Sequence, residues 1–158
     1  MSKPKIYLET SIFNFPFADD APQYRDEAKI LMEQIRGGKF EPYTSIYAIE
    51  ELNLTKDEEK RAKLKTQIYD YGVEILQPND EVRQLARIYL AEGAVKVNYP
   101  TDALHIAIAT VYGLDFIVSM NFQHIVRRKT IEEVDKINNR EGYRRIGIYF
   151  PAEVIYDD

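Results

Sequence analysis

The chain has 158 residues, of which 45% are hydrophobic and 30% charged, and its formal net charge is -5. This length and composition exclude a disordered chain and predict a single domain over residues 1–158, with one apolar core. Because the chain has no cysteine, disulfides, thiolate metal sites and cysteine nucleophiles are excluded. The net negative charge disfavours broad, non-specific coating of nucleic acid.

The N-terminal run MSKPKIYLETSIF is too polar, and its apolar stretch too short, for a signal peptide. No later apolar stretch approaches the roughly 20 residues that cross a bilayer. We therefore expect a cytoplasmic protein without a membrane partner, which agrees with the absence of cysteine.

Short strands and helices alternate through the first half of the sequence. Apolar runs bounded by polar or turn residues predict strands over residues 5–8, 40–45 and 73–76. Apolar positions at helical spacing predict helices over residues 23–36, from residue 46, and within the charged segment 54–72. In that last segment Thr55 is the expected N-cap, and Glu58 follows three residues later as in a capping box. Residues 13–22 are expected to form a loop.

The second half of the sequence continues the alternation. Helices are predicted over residues 80–92, 101–112 and 131–139, and strands over residues 116–118 and 146–149. The helix over 101–112 is apolar on nearly all sides, which predicts a central position. Strands that alternate with helices predict an α/β fold, in which a parallel sheet is covered by helices on both faces.

Polar residues follow the predicted strands at the place where such sheets bind ligands, beyond the carboxyl ends of the strands. Glu9 follows the first strand, Asn121 follows the strand over 116–118, and Asp102 introduces the central helix. Together with Glu51 they would form an oxygen-rich pocket. Such a pocket suits Mg²⁺ or Mn²⁺ and the attack of a metal-activated water on a phosphodiester, because a cation offsets the repulsion between carboxylates.

Four motifs occur in order over nearly the whole chain: IYLETSIFN, TSIYAIEEL, TDALHIAIA and DFIVSMNFQHI. Their order and separations resemble the PIN-domain ribonucleases, which include the VapC-type toxins of toxin-antitoxin pairs. The resemblance implies a three-layer α/β/α sandwich with a central, mainly parallel sheet of four to five strands. It also implies a metal-dependent endoribonuclease that hydrolyses single-stranded RNA with Mg²⁺ or Mn²⁺. Besides the RNA substrate, an antitoxin protein is the implied partner, and formation of a homodimer is left open.

The resemblance assigns catalytic and metal-binding roles to four residues of this chain. Glu9 stands where the family usually has aspartate, and Glu51 matches the family's helix-borne glutamate better than Glu50 does. Asp102 begins the matching Asp-Ala-Leu-His run. Asn121 stands where many active members carry an acid, so three acids remain instead of four, and a second cation is expected to bind more weakly.

The departures at positions 9 and 121 leave two functions open. The first is the nuclease. The second is a PIN-like module that binds RNA or protein and has weak or no nuclease activity. A phosphatase or a flap-type DNA nuclease with a similar acidic edge is less expected at this length.

Each candidate residue also has a purely structural interpretation. Asp102 or Asn121 could cap a helix, Glu9 could be satisfied by a salt bridge, and Glu51 could be a surface residue of its helix. For His105, one turn after Asp102, a packed and hydrogen-bonded side chain is favoured over a metal ligand. Three serines are expected to orient the acids through local hydrogen bonds: Ser11, Ser45 and Ser119.

Basic and aromatic residues supply weaker signals of contact with RNA or a partner. The residues concerned are Arg127, Arg128, Lys129, Arg144 and Arg145, and the loop aromatics Phe13, Phe15 and Phe17. We favour a structural interpretation over such contacts. The basic residues are then solvated surface charges, and the aromatic residues belong to a loop that packs on the core.

Overall fold

The computed structural model describes residues 2–157, and this range contains one sheet of five strands. The strands are β1 (Lys5–Leu8), β2 (Glu41–Ser45), β3 (Glu74–Leu76), β4 (Phe116–Val118) and β5 (Gly147–Tyr149). Their order across the sheet is β3-β2-β1-β4-β5, and every neighbouring pair is parallel. The prediction of four to five mainly parallel strands is therefore confirmed.

Helices connect and flank the strands in the described range. They are α1 (Ser11–Asn14), α2 (Pro22–Arg36), α3 (Ile46–Leu52), α4 (Glu58–Asp70), α5 (Asp80–Ala91), α6 (Pro100–Val111), α7 (Arg128–Glu141) and α8 (Pro151–Val154). A 3₁₀ turn over Phe15–Phe17 follows α1. Helix α7 is longer than predicted, and the left-handed backbone of Gly142 (φ 84°) ends it. None of the helices between residues 2 and 157 has both the length and the apolar character needed to cross a membrane.

The sheet carries an apolar layer on each face. On one face Tyr7 of β1 lies in a cluster with buried residues of α5, α6 and α7. On the other face Ile6 and Leu8 lie in a cluster with buried residues of α1, α2 and α4. Successive side chains of a strand point to opposite faces, which is why neighbours on β1 belong to different layers. The three-layer α/β/α sandwich that the motifs implied is confirmed.

The prediction of a loop over residues 13–22 is wrong in its first part, where α1 and the 3₁₀ turn lie. Ile12 and Phe13 are fully buried, and Gln67 of α4 donates a side-chain hydrogen bond to the carbonyl of Phe13 (2.8 Å). These tertiary contacts stabilise a helix of four residues, which is too short to be stable alone. Phe13 therefore belongs to the core, as favoured for this segment, whereas Phe17 is 44% exposed.

The predicted cap of the charged helix is also wrong. Helix α4 begins at Glu58, and its N-cap is Asp57, whose carboxylate accepts a hydrogen bond from the backbone N–H of Lys60 (3.1 Å). Thr55 lies earlier, where its backbone N–H donates to the carbonyl of Leu52 (3.1 Å) in the turn after α3. Both residues favour N-cap positions, and Asp57 is the cap because Thr55 is still part of the turn after α3.

Helix α6 is buried on nearly all sides, as its apolar sequence predicts. It places two ionisable residues in the interior, in addition to the neutral Thr110. Asp102 lies in its first turn and His105 one turn later, with relative exposures of 9% and 0%. Groups of this kind need partners when they are removed from water, and the partners define the candidate site.

Candidate active site

The four site residues predicted from the sequence come from four different segments. Glu9 follows β1, Asn121 lies shortly after β4, Glu51 lies in α3, and Asp102 lies in the first turn of α6. The structure brings them together at the carboxyl edge of the sheet. Glu9, Glu51 and His105 place potential ligand atoms within 4.8 Å of one another. The charges of Glu9 and Glu51 act on Asp102, and so does the side chain of Asn121.

Two serines hold one oxygen of Glu9. Ser11 and Ser119 donate hydrogen bonds from Oγ to Oε1 of Glu9, at 2.5 and 2.6 Å. Each serine oxygen in turn accepts a backbone N–H, from Met120 for Ser11 and from Asn121 for Ser119, both at 2.9 Å. Glu9 is only 4% exposed, and these hydroxyl groups, rather than a salt bridge, compensate for its removal from water.

Glu51 reaches the site from α3 and is fixed by two donors. Thr10 donates from Oγ1 to Oε1 of Glu51 (2.6 Å), and Nε2 of His105 lies 2.6 Å from the same oxygen. Both partners are buried, whereas the neighbouring Glu50 is exposed. The geometry agrees with the choice of Glu51 over Glu50, and it does not fit an ordinary surface glutamate.

His105 is fully buried and uses both ring nitrogens. Nε2 faces Glu51, and Nδ1 lies 2.6 Å from the hydroxyl oxygen of Tyr7, which itself lies 2.7 Å from Oγ of Ser45. In the neutral ring, Nε2–H donates to the carboxylate, so Nδ1 accepts from Tyr7 and the Tyr7 oxygen accepts from Ser45. A chain of hydrogen bonds thus runs from β2 through β1 and α6 to the carboxylate of Glu51.

Burial and charge shift the pKa values in this chain. Burial lowers the pKa of His105, but the hydrogen bond to Glu51 and the surrounding carboxylates outweigh burial and raise it above 6.5. Burial alone would raise the pKa of Glu51, but the hydrogen bond and charge of His105, together with Thr10, lower it below 4.5. Burial raises the pKa of Tyr7 well above 10, so its hydroxyl stays protonated. His105 and Glu51 therefore stabilise each other's charged forms.

Asp102 has a less favourable electrostatic environment. Burial and the negative charges of Glu9 and Glu51 raise its pKa to about 6, against the opposing effects of His105 and the Asn121 side chain. The first turn of α6 shows no side-chain cap, so the helix-cap interpretation of Asp102 has no support. A divalent cation would relieve the repulsion that raises this pKa.

Asn121 uses its side-chain oxygen within its own turn. Oδ1 accepts a hydrogen bond from the backbone N–H of His124 (3.1 Å), and the side-chain amide lowers the pKa of Asp102, as a hydrogen-bond donor does. Asn121 is not the N-cap of α7, which begins at Arg128. Because an amide N–H cannot bind a cation, the expected ligand role of Asn121 depends on its oxygen and stays a prediction.

The donor set fits a hard divalent cation. Oε2 of Glu9 and Oε2 of Glu51 accept no hydrogen bond from the part of the chain that the structure describes, because the serine, threonine and histidine donors all bind Oε1. Carboxylate oxygens are preferred ligands of Mg²⁺ and Mn²⁺. Both nitrogens of His105 are already engaged. The geometry therefore favours carboxylates as cation ligands and His105 as the group that positions Glu51.

Sequence reasoning anticipated that Ser11 and Ser119 orient an acid, whereas Ser45 contacts Tyr7 and caps α3 instead. It did not anticipate the positioning role of His105. The spacing held a usable signal, because His105 lies three residues after Asp102 and so lies on the same face of α6. Tyr7 likewise lies two residues before Glu9, on one face of β1. Nothing local indicates that Tyr7 contacts His105, which is 98 residues away in the sequence.

Three of the five late basic residues, Arg128, Arg144 and Arg145, make ion pairs at the protein surface. Arg128 pairs with Glu132 (2.8 Å), and Arg144 pairs with Asp115 (2.9 Å). Exposed pairs of this kind contribute little to stability. Their geometry agrees with the favoured interpretation of these residues as solvated charge.

Comparisons with known proteins bear on the fold. A sequence model of the family described as "PIN domain" matches residues 6–129. One chain of the crystal structure of VapBC2 from Rickettsia felis bound to a DNA fragment from their promoter is similar to this chain with a TM-score of 0.55. The two sequences are 14% identical, and the match covers 92% of this chain and 98% of that one, so this likeness shows a shared fold. A search of curated proteins found no match.

Proposed function

The chain belongs to the PIN domain family, as its motifs indicated, and on this premise we propose that it is a metal-dependent endoribonuclease that hydrolyses single-stranded RNA. The observation that carries the proposal is the convergence of Glu9, Glu51 and Asp102, where burial and mutual repulsion raise the pKa of Asp102 to about 6. Acids arranged in this way destabilise a fold unless they serve a cation, and shifted pKa values of this kind are typical of functional sites.

The proposed ligands of Mg²⁺ or Mn²⁺ are Glu9 and Asp102, with Glu51 acting through water. Serine hydroxyl groups occupy Oε1 of Glu9, which leaves Oε2 for the cation. Asn121 is the fourth proposed site residue. Its amide acts on Asp102, and its oxygen, which accepts the N–H of His124, is the atom that would bind the cation.

The residues of the chain suit hydrolysis of a phosphodiester. A bound divalent cation supplies Lewis acidity that strengthens a water nucleophile and offsets the phosphate charge. Thr10 and His105 fix Glu51 through Oε1, so Oε2 is left to accept the proton of the attacking water, and the lowered pKa keeps Glu51 ionised for this role. The water oxygen forms the new bond to phosphorus, the bond to the leaving ribose oxygen breaks, and that oxygen takes a proton from solvent.

We also propose that the protein is the toxin of a toxin-antitoxin pair. Support comes from the fold shared with a chain of VapBC2 and from the motifs quoted above. The proposed partner is a separate antitoxin protein that covers the acidic pocket. The proposed compartment is the cytoplasm. Besides the complex with the antitoxin, a homodimer stays a prediction. A short reading frame for such an antitoxin beside the gene would support the pairing, and an isolated gene would argue against it.

One observation favours a second function. The oxygen of Asn121 accepts an N–H within its own turn, and among residues 2–157 three acids come together at the site. A reduced ligand set of this kind fits a PIN-like module that binds RNA or protein and has weak or no nuclease activity. RNA binding that survives both Glu9→Gln and Asp102→Asn, in a protein without metal-dependent cleavage, would identify this alternative.

Calorimetric titration with Mn²⁺, with cleavage of a labelled single-stranded RNA followed in the same samples, tests the proposal. We expect Asp102→Asn to lose both Mn²⁺ binding and cleavage, and Asn121→Asp to strengthen at least one of them, because it adds a charged ligand. Asp135→Asn at the surface of α7 controls for the change in net charge. A wild-type protein that binds no Mn²⁺, with variants that behave as it does, would leave the acids with a structural role alone.

A further inference from the structure

A stacked aromatic pair lies beside the candidate active site. The rings of Tyr99 and His124 are nearly parallel (24°), and their centroids are 3.7 Å apart. Tyr99 is 41% exposed, so solvent reaches a large part of its ring although His124 covers one face. The pair is therefore stacked and partly open to solvent.

Both rings belong to segments that carry proposed site residues. Tyr99 occupies the N-cap position of α6, three residues before Asp102. The backbone N–H of His124 donates to Oδ1 of Asn121 (3.1 Å). The pair joins the start of α6 to the turn after β4, next to the proposed cleavage centre, and the proposed hydrolysis makes no use of it.

Two cations flank the aromatic pair. The carbonyl of Lys96 accepts a hydrogen bond from the backbone N–H of Tyr99 (2.9 Å), and Arg127 lies three residues after His124. Burial lowers the pKa of His124, and both positive charges lower it further. Lys96 is exposed, and Arg127 donates from Nε to the hydroxyl of Thr130 (2.8 Å). Within residues 2–157 neither cation has a carboxylate partner within 4.0 Å, in contrast to Arg128. Their charges are thus available to an anion.

The other aromatic cluster near the site is built differently. Phe122 meets Phe150 edge to face (4.6 Å, 61°) and is tilted against Tyr24 (5.4 Å, 54°). Phe122 and Tyr24 are 40% and 39% exposed, so this cluster differs from the pair in ring orientation and not in burial. The parallel pair of Tyr99 and His124 instead leaves one face of the kind on which a further ring can stack.

We propose that the exposed face of Tyr99 stacks on a nucleobase of the RNA strand, while Lys96 and Arg127 contact neighbouring phosphates. This inference rests on the proposed function, because it adds a base-binding position for the same substrate. Stacking on an aromatic ring tolerates every base, since every base has a π face. The position therefore selects an unpaired nucleotide and not a sequence, because the bases of a duplex are already stacked on one another.

The test compares two fluorescently labelled strands that have the same backbone. One is an oligoadenylate of about ten nucleotides, and the other is an abasic ribose-phosphate strand of equal length. Dissociation constants are measured by fluorescence anisotropy in EDTA, which keeps the oligoadenylate intact if the protein is a metal-dependent nuclease. The ratio of the abasic to the adenylate dissociation constant isolates the contribution of the bases.

We expect Tyr99→Ala to reduce this ratio about tenfold, as is typical when a stacking ring is removed. Tyr99→Phe keeps the ring and should keep the ratio. Tyr112→Ala is the matched control, because Tyr112 follows the other end of α6 and is 43% exposed. Lys96→Ala should weaken the binding of both strands equally and reduce its salt dependence, as a phosphate contact does.

The outcomes separate this inference from the proposed nuclease. An unchanged ratio in Tyr99→Ala, in a protein that cleaves RNA with Mn²⁺, overturns the stacking position and leaves the nuclease standing. A wild-type protein that binds both strands equally, or neither, also overturns it. A reduced ratio in a protein that cleaves no RNA supports base stacking and removes the nuclease. Loss of Mn²⁺ binding in Tyr99→Ala, measured by calorimetry, would make the pair a structural support of the metal site and overturn the inference.

Discussion

Helix α6 takes part in two buried hydrogen-bond networks, one towards each end, and the two differ in charge. The network at its start joins His105 to Glu51 and contains ionisable groups with shifted pKa values. The network at its end consists of neutral groups, where the hydroxyl of Tyr89 lies 3.3 Å from Oγ1 of Thr110 and donates to Oδ1 of Asn138 (2.5 Å). Both networks pair polar atoms in the interior, although Nδ2 of Asn138 lacks a partner in the described chain.

The difference shows which buried polar residues indicate a site. The neutral network is enclosed by α5, α6 and α7, and it can fix packing but cannot hold a cation. The charged network ends in a carboxylate that keeps one oxygen free of hydrogen bonds from the described chain. Buried neutral polar residues thus occur in ordinary cores, whereas a buried charged residue with an available ligand atom indicates a catalytic or metal-binding site.

Removal of His105 should have the largest effect on the charged network. His105→Ala should lower the affinity for Mn²⁺ by about 10- to 100-fold, the range expected when a residue that orients a metal ligand is lost. Glu51 would then keep only Thr10 as a donor to Oε1. His105→Gln should restore part of the affinity, because an amide N–H can still donate to the carboxylate. Calorimetry on the folded variants measures this, and equal affinities in all three proteins would contradict the positioning role.

Removal of the charge of Asp102 should stabilise the metal-free protein. Its pKa is raised to about 6 from 3.8, so the folded state disfavours the ionised carboxylate. The stability that protonation provides is fully present below about pH 4 and is lost as the pH rises through about 6. Asp102→Asn should therefore increase the free energy of unfolding at pH 7 by on the order of 2 kcal/mol and have little effect at pH 4.

Urea unfolding in EDTA at these two pH values checks the prediction. Excess Mn²⁺ should reverse the order at pH 7, because a cation that binds only the folded wild type adds to its stability. If Asp102→Asn is less stable than wild type at pH 7 in EDTA, the carboxylate stabilises the fold and the electrostatic account of the site is wrong.

The smallest effect is expected in the neutral network. Tyr89→Phe leaves Oδ1 of Asn138 without its donor, next to an Nδ2 that already lacks a hydrogen-bond partner in the described chain. We expect the free energy of unfolding to fall by about 1 kcal/mol, with unchanged Mn²⁺ affinity and RNA cleavage. Thermal unfolding and the cleavage assay measure the two effects. Lower cleavage at unchanged stability would mean that the networks are coupled through α6.

Much of the fold could be predicted from the sequence because each strand is a short apolar run. Polar residues come after these runs, at the carboxyl edge of the sheet. Positions at strand ends and helix starts selected Glu9, Glu51, Asp102 and Asn121, and the family motif favoured Glu51 over Glu50. The structure brings all four to one region. Helix α1 could not be predicted in this way. Its stability depends on burial and on a hydrogen bond from Gln67, which lies 54 residues from its acceptor.

The hydrogen bonds that orient the site also lie beyond local patterns. Ser119 and Glu9 are 110 residues apart in the sequence, and Tyr7 and Ser45 are 38 apart. Periodicity along one strand or helix indicates which face a side chain occupies. It does not indicate which distant residue lies opposite, and this is why the contacts of His105 emerge only from the structure.

The register of the sheet determines where the chain could change in length during evolution. Leu8 lies level with Val118, and the N–H of Glu9 continues the ladder by donating to the carbonyl of Val118 (3.1 Å). Side chains alternate along a strand, so one residue inserted before Glu9 would turn its carboxylate away from α6 and into the opposite apolar layer. Loops at the amino edge of the sheet are free of this restriction. Insertions and deletions among related chains should therefore collect in those loops and be absent from β1.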